Sequence, residues 1–246
     1  MEVEDLSQHI SRRFNEDIES LQHSVLAMGG LVEAQFDRAI KALRDRDSEL
    51  GLQVAQDDIE VNRMEVSIDE DCSRILATRS PAAGDLRLIV AIIKTITDLE
   101  RIGDEAEKIG ALAARLAGVE RPSTNHRELR NLAGHVKQMI RGTLDAFARL
   151  DATGALDVVK ADEIVDEEYE SIYRQAITFM MEDPRTISRS MDSMWMARSL
   201  ERIGDHAKNI CEYVIFMVHG KDIRHTSVET IEAEVRQATQ QSEASS

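Results

Sequence analysis

Apolar side chains recur every three or four residues through most of the chain, which is the spacing of amphipathic α-helices. One run consists of Ile89, Ile92, Ile96, Leu99 and Ile102. A second run, in the other half of the chain, consists of Met196, Leu200, Ile203, Ala207 and Ile210. The composition agrees with this, since aromatic residues make up only 4% of the chain and there are only three prolines. The pattern therefore predicts an all-α protein.

Turn and capping signals divide the chain into six long predicted helices. They are expected at residues 8–46, 48–78, 83–117, 125–150, 155–181 and 186–218. Proline disfavours helical geometry in the residue before it, so Ser80-Pro81 and Asp183-Pro184 are predicted helix breaks. Residues 118–125 form the clearest predicted linker, and residues 151–154 a further predicted break.

The hexapeptide Leu-Glu-Arg-Ile-Gly-Asp occurs twice, at residues 99–104 and 200–205. A lysine follows each copy, but the spacing differs by one residue: Lys108 lies four residues after Asp104, and Lys208 lies three residues after Asp205. A repeat of this kind indicates a duplicated unit, and short loops force neighbouring helices to pack antiparallel. The sequence predicts two tandem three-helix bundles, at residues 1–118 and 119–225, and a partly disordered tail at 226–246. A single six-helix bundle is the alternative, since two units are too few for a solenoid.

Composition narrows the partners and the compartment. Apolar residues make up 42% of the chain, enough to fill a core, and the net charge is −16. Such a charge disfavours nucleic acid and anionic membrane surfaces, and favours cations or basic proteins. The first residues lack signal-peptide features, and the longest aliphatic run, 88–93, is too short to span a membrane. We expect a cytoplasmic protein without membrane insertion, with Cys72 and Cys211 as reduced core thiols.

The repeated hexapeptide carries candidate metal ligands. It places two carboxylates one helical turn apart in each half, namely Glu100 with Asp104 and Glu201 with Asp205. Like charges at this spacing cost roughly 0.2–0.5 kcal/mol, and a glycine inside a helix costs about 1 kcal/mol relative to alanine. A multivalent cation between the carboxylates, or close approach of another backbone at the glycine, would offset these costs.

A second set of oxygen ligands lies on the preceding helix of each half. Asp58 and Asn62 are one turn apart, and Asp162 and Asp166 repeat this pair 104 residues later. If each helix packs against the hexapeptide helix of its own half, each bundle presents a patch of oxygen ligands. Hard cations prefer such ligands, and carboxylate-bridged iron or zinc is also compatible with them. No Glu-x-x-His motif occurs, so the signature of ferritin-like di-iron oxidases is missing.

Two other interpretations stay open at this point. Acidic residues on an exposed helix face commonly do no more than solvate it, and Arg101 and Arg202 are placed to form interhelical salt bridges.

The chain has no glycine-rich phosphate loop, nucleophile elbow or cysteine pair for zinc, so we predict that it is not an enzyme. A metal-storage protein and a carboxylate-metal oxidase or hydrolase remain the alternatives.

The chain resembles the PhoU family of phosphate-transport accessory proteins over about residues 5–225. The segments that carry the resemblance are MGG at 28–30, VNRME at 61–65, DLR at 85–87, LERIGD at 99–104, LDAFAR at 144–149, MMEDPRT at 180–186, SLERIGDH at 199–206 and NICEY at 209–213. So many matching segments in the same order make the resemblance specific.

The resemblance implies two similar three-helix bundles in a cytoplasmic homodimer that represses the phosphate-starvation (Pho) regulon and restrains phosphate uptake. It implies a non-enzymatic adaptor between the ATPase subunit of the phosphate ABC transporter and the phosphate sensor histidine kinase. It further implies iron or zinc clusters on the acidic helices, as in some members of the family, while other members have no metal. Transferred to this chain, the implied ligands are Glu100, Asp104, Glu201 and Asp205, joined by Asp58, Asn62, Asp162 and Asp166.

Overall fold

The computed structural model describes residues 3–56, 58–79, 81–118 and 123–220, and the single positions 226, 230 and 232. The described helices are α1 (Val3–Asp45), α2 (Ser48–Gln56), α3 (Asp58–Arg79), α4 (Ala83–Leu116), α5 (Ser123–Arg149), α6 (Ala152–Glu182) and α7 (Ile187–His219). A 3-10 turn, Pro184–Thr186, joins α6 to α7. Helices α2 and α3 lie on either side of residue 57 and together cover the second predicted helix. The prediction of an all-α protein with six long helices is confirmed.

The helices form two similar units. In the first half, α4 packs against α1, α2 and α3, and in the second half α7 packs against α5 and α6. The prediction of tandem three-helix bundles is therefore confirmed. Their exact bounds, 1–118 and 119–225, stay predictions, because the linker residues 119–122 and nearly all of the tail 226–246 lie outside the described residues.

The two bundles meet along α4 and α7, the helices that carry the repeated hexapeptide. These helices run antiparallel, because Glu105 pairs with Arg202 and Arg115 pairs with Asp192. Buried apolar residues from all seven helices form one continuous core. Since both hexapeptides lie on this central pair of helices, the contact between α4 and α7 fixes how the two hexapeptides are oriented relative to each other.

Local capping explains where α6 begins. The side chain of Asp151 accepts hydrogen bonds from the backbone N–H groups of Thr153 and Gly154, each at 3.0 Å. This is the N-cap arrangement that satisfies free donors in the first turn of a helix. The predicted break at 151–154 is therefore too long, since the helix begins at Ala152 rather than at residue 155.

Two further expectations concern the cysteines and membrane spans, and Gly29 adds a close contact between helices. Cys72 and Cys211 are free and buried, which confirms them as core thiols, and burial raises the pKa of each to about 12. A Cβ atom at Gly29 would collide with the side chain of Leu144, so this glycine permits close contact between α1 and α5. None of the described helices combines the length and apolar character that a membrane span requires.

Candidate functional site

The glycine of each hexapeptide makes room for an aspartate from the neighbouring helix. A Cβ atom at Gly103 would lie only 2.9 Å from Oδ1 of Asp58. A Cβ atom at Gly204 would lie 3.3 Å from Cγ1 of Val165 and 3.5 Å from Oδ1 of Asp162. The atoms nearest these positions are side-chain atoms rather than backbone atoms: a carboxylate oxygen at Gly103, and a valine methyl group followed by a carboxylate oxygen at Gly204. A glycine leaves the helix surface open to them.

Asp58 is the buried centre of the acidic region in the first half. Its side chain is 6% exposed. The Nε2 atom of Gln35 donates to its Oδ1 at 3.1 Å, and the Nδ2 atom of Asn62 donates to its Oδ2 at 3.0 Å. Both hydrogen bonds come from neutral amides. They satisfy the carboxylate oxygens without supplying a compensating positive charge.

Carboxylates from α4 surround this aspartate. One oxygen from each of Asp58, Asp104 and Glu107 lies within 4.8 Å of the other two. Oxygens at such distances are close enough for one cation to bind several of them. We use the name first cluster for Asp58, Asn62, Glu65, Glu100, Asp104 and Glu107. Sequence reasoning missed Glu107, although its position three residues after Asp104 on the same helix was a usable signal.

The carboxylates of the first cluster repel one another. Burial raises the pKa of Asp104, and the charge of Asp58 adds to this effect. Burial also raises the pKa of Glu107 and of Glu100, again with contributions from neighbouring carboxylates. These shifts mean that the deprotonated cluster is electrostatically unfavourable. A bound cation would remove that penalty.

The donor set of the first cluster fits a cation that takes oxygen ligands. Within the described part of the chain, the buried Oε1 of Gln35 has no hydrogen-bond partner. It lies beside Asp58, to which the same amide group donates, and Gln35 itself is only 2% exposed. Carboxylate and amide oxygens together suit hard cations such as Mg²⁺, Mn²⁺ or Ca²⁺, while iron and zinc also accept carboxylates.

The second half gathers its predicted residues in the same way but adds a basic side chain. We use the name second cluster for Asp162, Asp166, Glu201, Asp205 and Lys208. Asp162 is 2% exposed, and its Oδ2 accepts a hydrogen bond from Nζ of Lys208 at 2.6 Å. The lysine pKa stays above its ordinary value: burial lowers it, but the contact with Asp162 outweighs that effect. Lys208 is therefore an ammonium group that neutralises the buried aspartate.

Glu201 is the most perturbed carboxyl group of the second cluster. Burial, followed by the charge of Asp205, raises its pKa to about 7, against the opposing effect of Arg198. One of its oxygens pairs with Arg198, and the other is buried and has no hydrogen-bond partner among the described residues. Burial likewise raises the pKa of Asp166 and Asp205. Even with Lys208 present, the ionised forms of these carboxyl groups are therefore energetically unfavourable.

The structure corrects the alignment of the two repeats near the lysines. Lys208 occupies the place of Glu107, since both follow the hexapeptide aspartate by three residues. Lys108, which the repeat pattern pairs with Lys208, instead contacts Glu105 at 3.0 Å. The predicted slippage of the lysine is therefore a replacement of carboxylate by ammonium. The eight residues predicted as ligands lie four in each cluster, and their role as metal ligands stays a prediction.

A polar seam between α4 and α7 lies beside the clusters. Arg202 contacts Glu105 at 2.8 Å, and Nδ1 of His206 lies 2.7 Å from Oδ1 of Asp98. Asp98, Glu105 and His206 are all buried. The alternative of interhelical salt bridges is thus correct for Arg202, which joins the two bundles. Sequence reasoning missed these pairs because their members are about a hundred residues apart.

Comparison with known proteins places the whole arrangement in a family. The PhoU domain family matches residues 25–113 and 129–214. The phosphate-specific transport system accessory protein PhoU homolog of Pseudomonas putida is 50% identical over 233 residues, covering 95% of this chain and 91% of the relative. The accessory protein PhoU of Escherichia coli (strain K12) is 47% identical over 229 residues, covering 92% and 93%.

Two solved structures share the fold. PhoU from Pseudomonas aeruginosa matches with a TM-score of 0.82 at 50% identity, covering 85% of this chain and 100% of that structure. The phosphate transport system regulatory protein PhoU from Streptococcus pneumoniae matches with a TM-score of 0.79 at 27% identity, covering 85% and 98%.

Proposed function

This chain belongs to the PhoU family, and on that premise we propose that it is a regulatory accessory protein of a phosphate transport system. The observation that carries the proposal is the family match across both halves, which includes the hexapeptide helices and the helices that contact them. The named accessory proteins match over nearly their full length, so the comparison covers the whole regulatory unit.

In its finer form, the proposal is a non-enzymatic adaptor that represses the phosphate-starvation regulon when phosphate is plentiful. It contacts the ATPase subunit of the phosphate ABC transporter and the phosphate sensor histidine kinase, in the cytoplasm. The net charge of −16 supports docking to basic protein surfaces rather than direct binding of phosphate. The protein then senses the state of the transporter through contact.

Deletion of the gene tests this role directly. We expect alkaline phosphatase to stay on at high phosphate in the deletion strain, because the repressing contact with the kinase is lost. A plasmid copy of the wild-type gene should restore repression. A deletion strain that still represses the phosphatase at high phosphate would overturn the proposal.

We also propose that the first cluster binds a metal cation, with iron and zinc as the candidates that the family suggests. Asp58, Asp104 and Glu107 would hold it, and the bound charge would relieve the repulsion among the carboxylates. The test is the metal content of untagged protein purified without chelator, compared with a variant in which Glu100, Asp104, Glu201 and Asp205 are all alanine. Equal metal content in both proteins would contradict a site at these helices.

The same cluster favours a second candidate function, metal storage. A storage protein would bind metal in the same assay, but deletion of its gene would leave phosphate repression intact. The two measurements together therefore separate an adaptor that uses metal from a protein whose purpose is to hold it.

A homodimer completes the proposal. Trp195 is 57% exposed on α7, and Ile187 and Met191 are exposed on the same helix. Large apolar side chains that share one exposed helix face support a contact with a second copy. Sedimentation of the wild type and of Trp195→Glu tests this, since we expect the substitution to shift the protein toward monomer. A wild type that sediments as a monomer at all concentrations would exclude the dimer.

A further inference from the structure

Both halves place an aspartate against the hexapeptide glycine, but three surrounding positions differ. Gln35 corresponds to Met139, since each lies near the point that a Cβ atom on the glycine of its half would occupy. The same offset of 104 residues makes Glu65 correspond to Tyr169. On the hexapeptide helices, Glu107 corresponds to Lys208. At these three positions the first half has an amide and two carboxylates, whereas the second half has a thioether, a phenol and an ammonium group.

These replacements give the clusters different charges. The first cluster contains the carboxylates of five residues: Asp58, Glu65, Glu100, Asp104 and Glu107. The second has four carboxylates, and Lys208 and Arg198 contact two of them directly. Tyr169, which takes the place of Glu65, has its ring centre 5.8 Å from the guanidinium of Arg198. Two cationic side chains thus contact carboxylates of the second cluster directly, although burial still raises the pKa of Glu201, Asp166 and Asp205.

We propose that Lys208 is a resident counter-ion that takes, in the second half, the place a metal cation takes in the first. Cation binding is then confined to the first cluster, although the hexapeptide and its aspartates are present in both halves. This inference rests on the proposed metal binding of the first cluster. It departs from the expectation that Glu201, Asp205, Asp162 and Asp166 are also metal ligands.

Two observations beyond the acidic residues support the difference. In the first half, the buried Oε1 of Gln35, a neutral amide oxygen beside Asp58, has no hydrogen-bond partner among the described residues. In the second half, the unpartnered buried oxygens belong to Asp162 and Glu201, two carboxylates that Lys208 and Arg198 already contact. In the second half, the corresponding Met139 offers a thioether, a poor ligand for hard cations. A divalent cation at Asp162 would also have to bind beside an ammonium group that lies 2.6 Å from Oδ2 of the same carboxylate. Like-charge repulsion in a largely buried site opposes that arrangement.

Exchanging the two corresponding residues tests the proposal. The probe is Mn²⁺ alone, and the readouts are stoichiometry by isothermal titration calorimetry and bound Mn²⁺ by electron paramagnetic resonance. We expect one site per wild-type chain, at least a tenfold loss of affinity in Glu107→Lys, and a second site in Lys208→Glu. Glu182→Lys, an exposed charge change at the end of α6, is the matched control and should leave binding unchanged.

Lys208→Met provides a second route if Lys208→Glu fails to fold. It removes the ammonium group without adding a ligand, so Mn²⁺ should raise the melting temperature of this variant more than that of the wild type. Two equal sites in the wild type would overturn the confinement to the first cluster while leaving metal binding intact. A folded Lys208→Glu with wild-type stoichiometry would overturn the counter-ion role. No Mn²⁺ binding in any variant would overturn the metal proposal and this inference together, without bearing on phosphate repression.

Discussion

The two halves bury the same aspartate against the same glycine, yet they surround it differently. Asp58 accepts hydrogen bonds from two neutral amides and lies among carboxylates, whereas Asp162 is paired with the ammonium group of Lys208. A buried charge needs a partner, and among the described residues the partner comes from within the chain only in the second half. In the first half, Arg101, Lys108 and Arg202 act electrostatically on Glu100 and Asp104, while the hydrogen bonds that Asp58 accepts come from neutral amides.

The difference shows how a duplicated unit diverges. Both halves place an aspartate beside the hexapeptide glycine, and at Gly103 the absence of a Cβ atom is a steric requirement for the close approach of Asp58. The charge balance depends on single side chains around that carboxylate, such as Glu107 and Lys208. The proposed metal binding would make the first half responsive to ions, whereas Lys208 would make the second half independent of them. If this contrast is correct, substitutions at corresponding positions of the two halves should have unequal effects.

Removing the lysine should cause the largest loss of stability. Breaking a buried ion pair by deleting one partner costs about 3–5 kcal/mol, and we expect about 2 kcal/mol for Lys208→Met because the lysine side chain is 34% exposed. Glu107→Met should be neutral or stabilising without added metal, because it removes a like charge near Asp58. Urea unfolding measures both changes, with Lys41→Met as the exposed control. Equal losses at positions 107 and 208 would contradict the difference between the clusters.

Replacing the two hexapeptide glycines by alanine should change the stability of the protein by different amounts, for steric reasons. Gly103→Ala places Cβ 2.9 Å from Oδ1 of Asp58, so the carboxylate must shift and its hydrogen bonds weaken, at a cost of roughly 1–2 kcal/mol. At Gly204 the nearest atom, Cγ1 of Val165, would be 3.3 Å away. There, the gain in helix propensity of about 1 kcal/mol offsets the crowding.

Thermal unfolding of the two alanine variants is the measurement. We expect Gly103→Ala to melt below Gly204→Ala, because the gain in helix propensity is the same at both glycines and the steric cost is larger at Gly103. The opposite order would mean that the approach of Asp58 to the helix is not tighter than that of Asp162.

The pH dependence of stability should reveal Glu201. Its pKa rises from 4.5 to about 7 on folding, so the folded protein holds a proton that the unfolded chain has released between these values. Stability from this group is therefore full below pH 4.5 and is lost as the pH rises through about 7. Glu201→Gln should remove that decline, which we expect to amount to roughly 1 kcal/mol after screening by Arg198.

Urea unfolding at several pH values between about 5 and 8 tests this, with Glu100→Gln as the corresponding variant of the first half. A Glu201→Gln protein whose stability falls with pH as steeply as that of the wild type would show that another group titrates.

The smallest expected effects concern Asn62 and Asp166, which occupy corresponding positions in the two halves but carry a neutral amide and a carboxylate, respectively. Asn62→Ala removes an amide that donates to Asp58 at 3.0 Å, and should destabilise the protein by about 0.5–1 kcal/mol. Asp166→Ala removes a carboxylate that Asp162 and Asp205 repel, and should stabilise it by a few tenths of a kcal/mol. Chemical denaturation resolves the opposite signs, and two changes of the same sign would count against a difference between the halves.

Much of the fold was predictable because its signals are local. The apolar period of the helices, the breaks at Ser80-Pro81 and Asp183-Pro184, and the repeated hexapeptide can all be read within short windows. The eight predicted ligand residues also gather as expected, since residues four apart share a helix face. The misjudged start of α6 has a local cause as well: Asp151 caps the helix, so Gly154 lies inside its first turn.

Local sequence thus accounts for the helices, the duplication and the presence of an aspartate and a glycine in each half. The side chains that balance the buried charges follow instead from how the helices pack. Gln35 reaches Asp58 from another helix, Lys208 reaches Asp162 from another, and Arg202 reaches Glu105 across the seam between the bundles. Such contacts depend on how packed helices are rotated about their axes, and that rotation is set by the shared apolar core rather than by any local pattern.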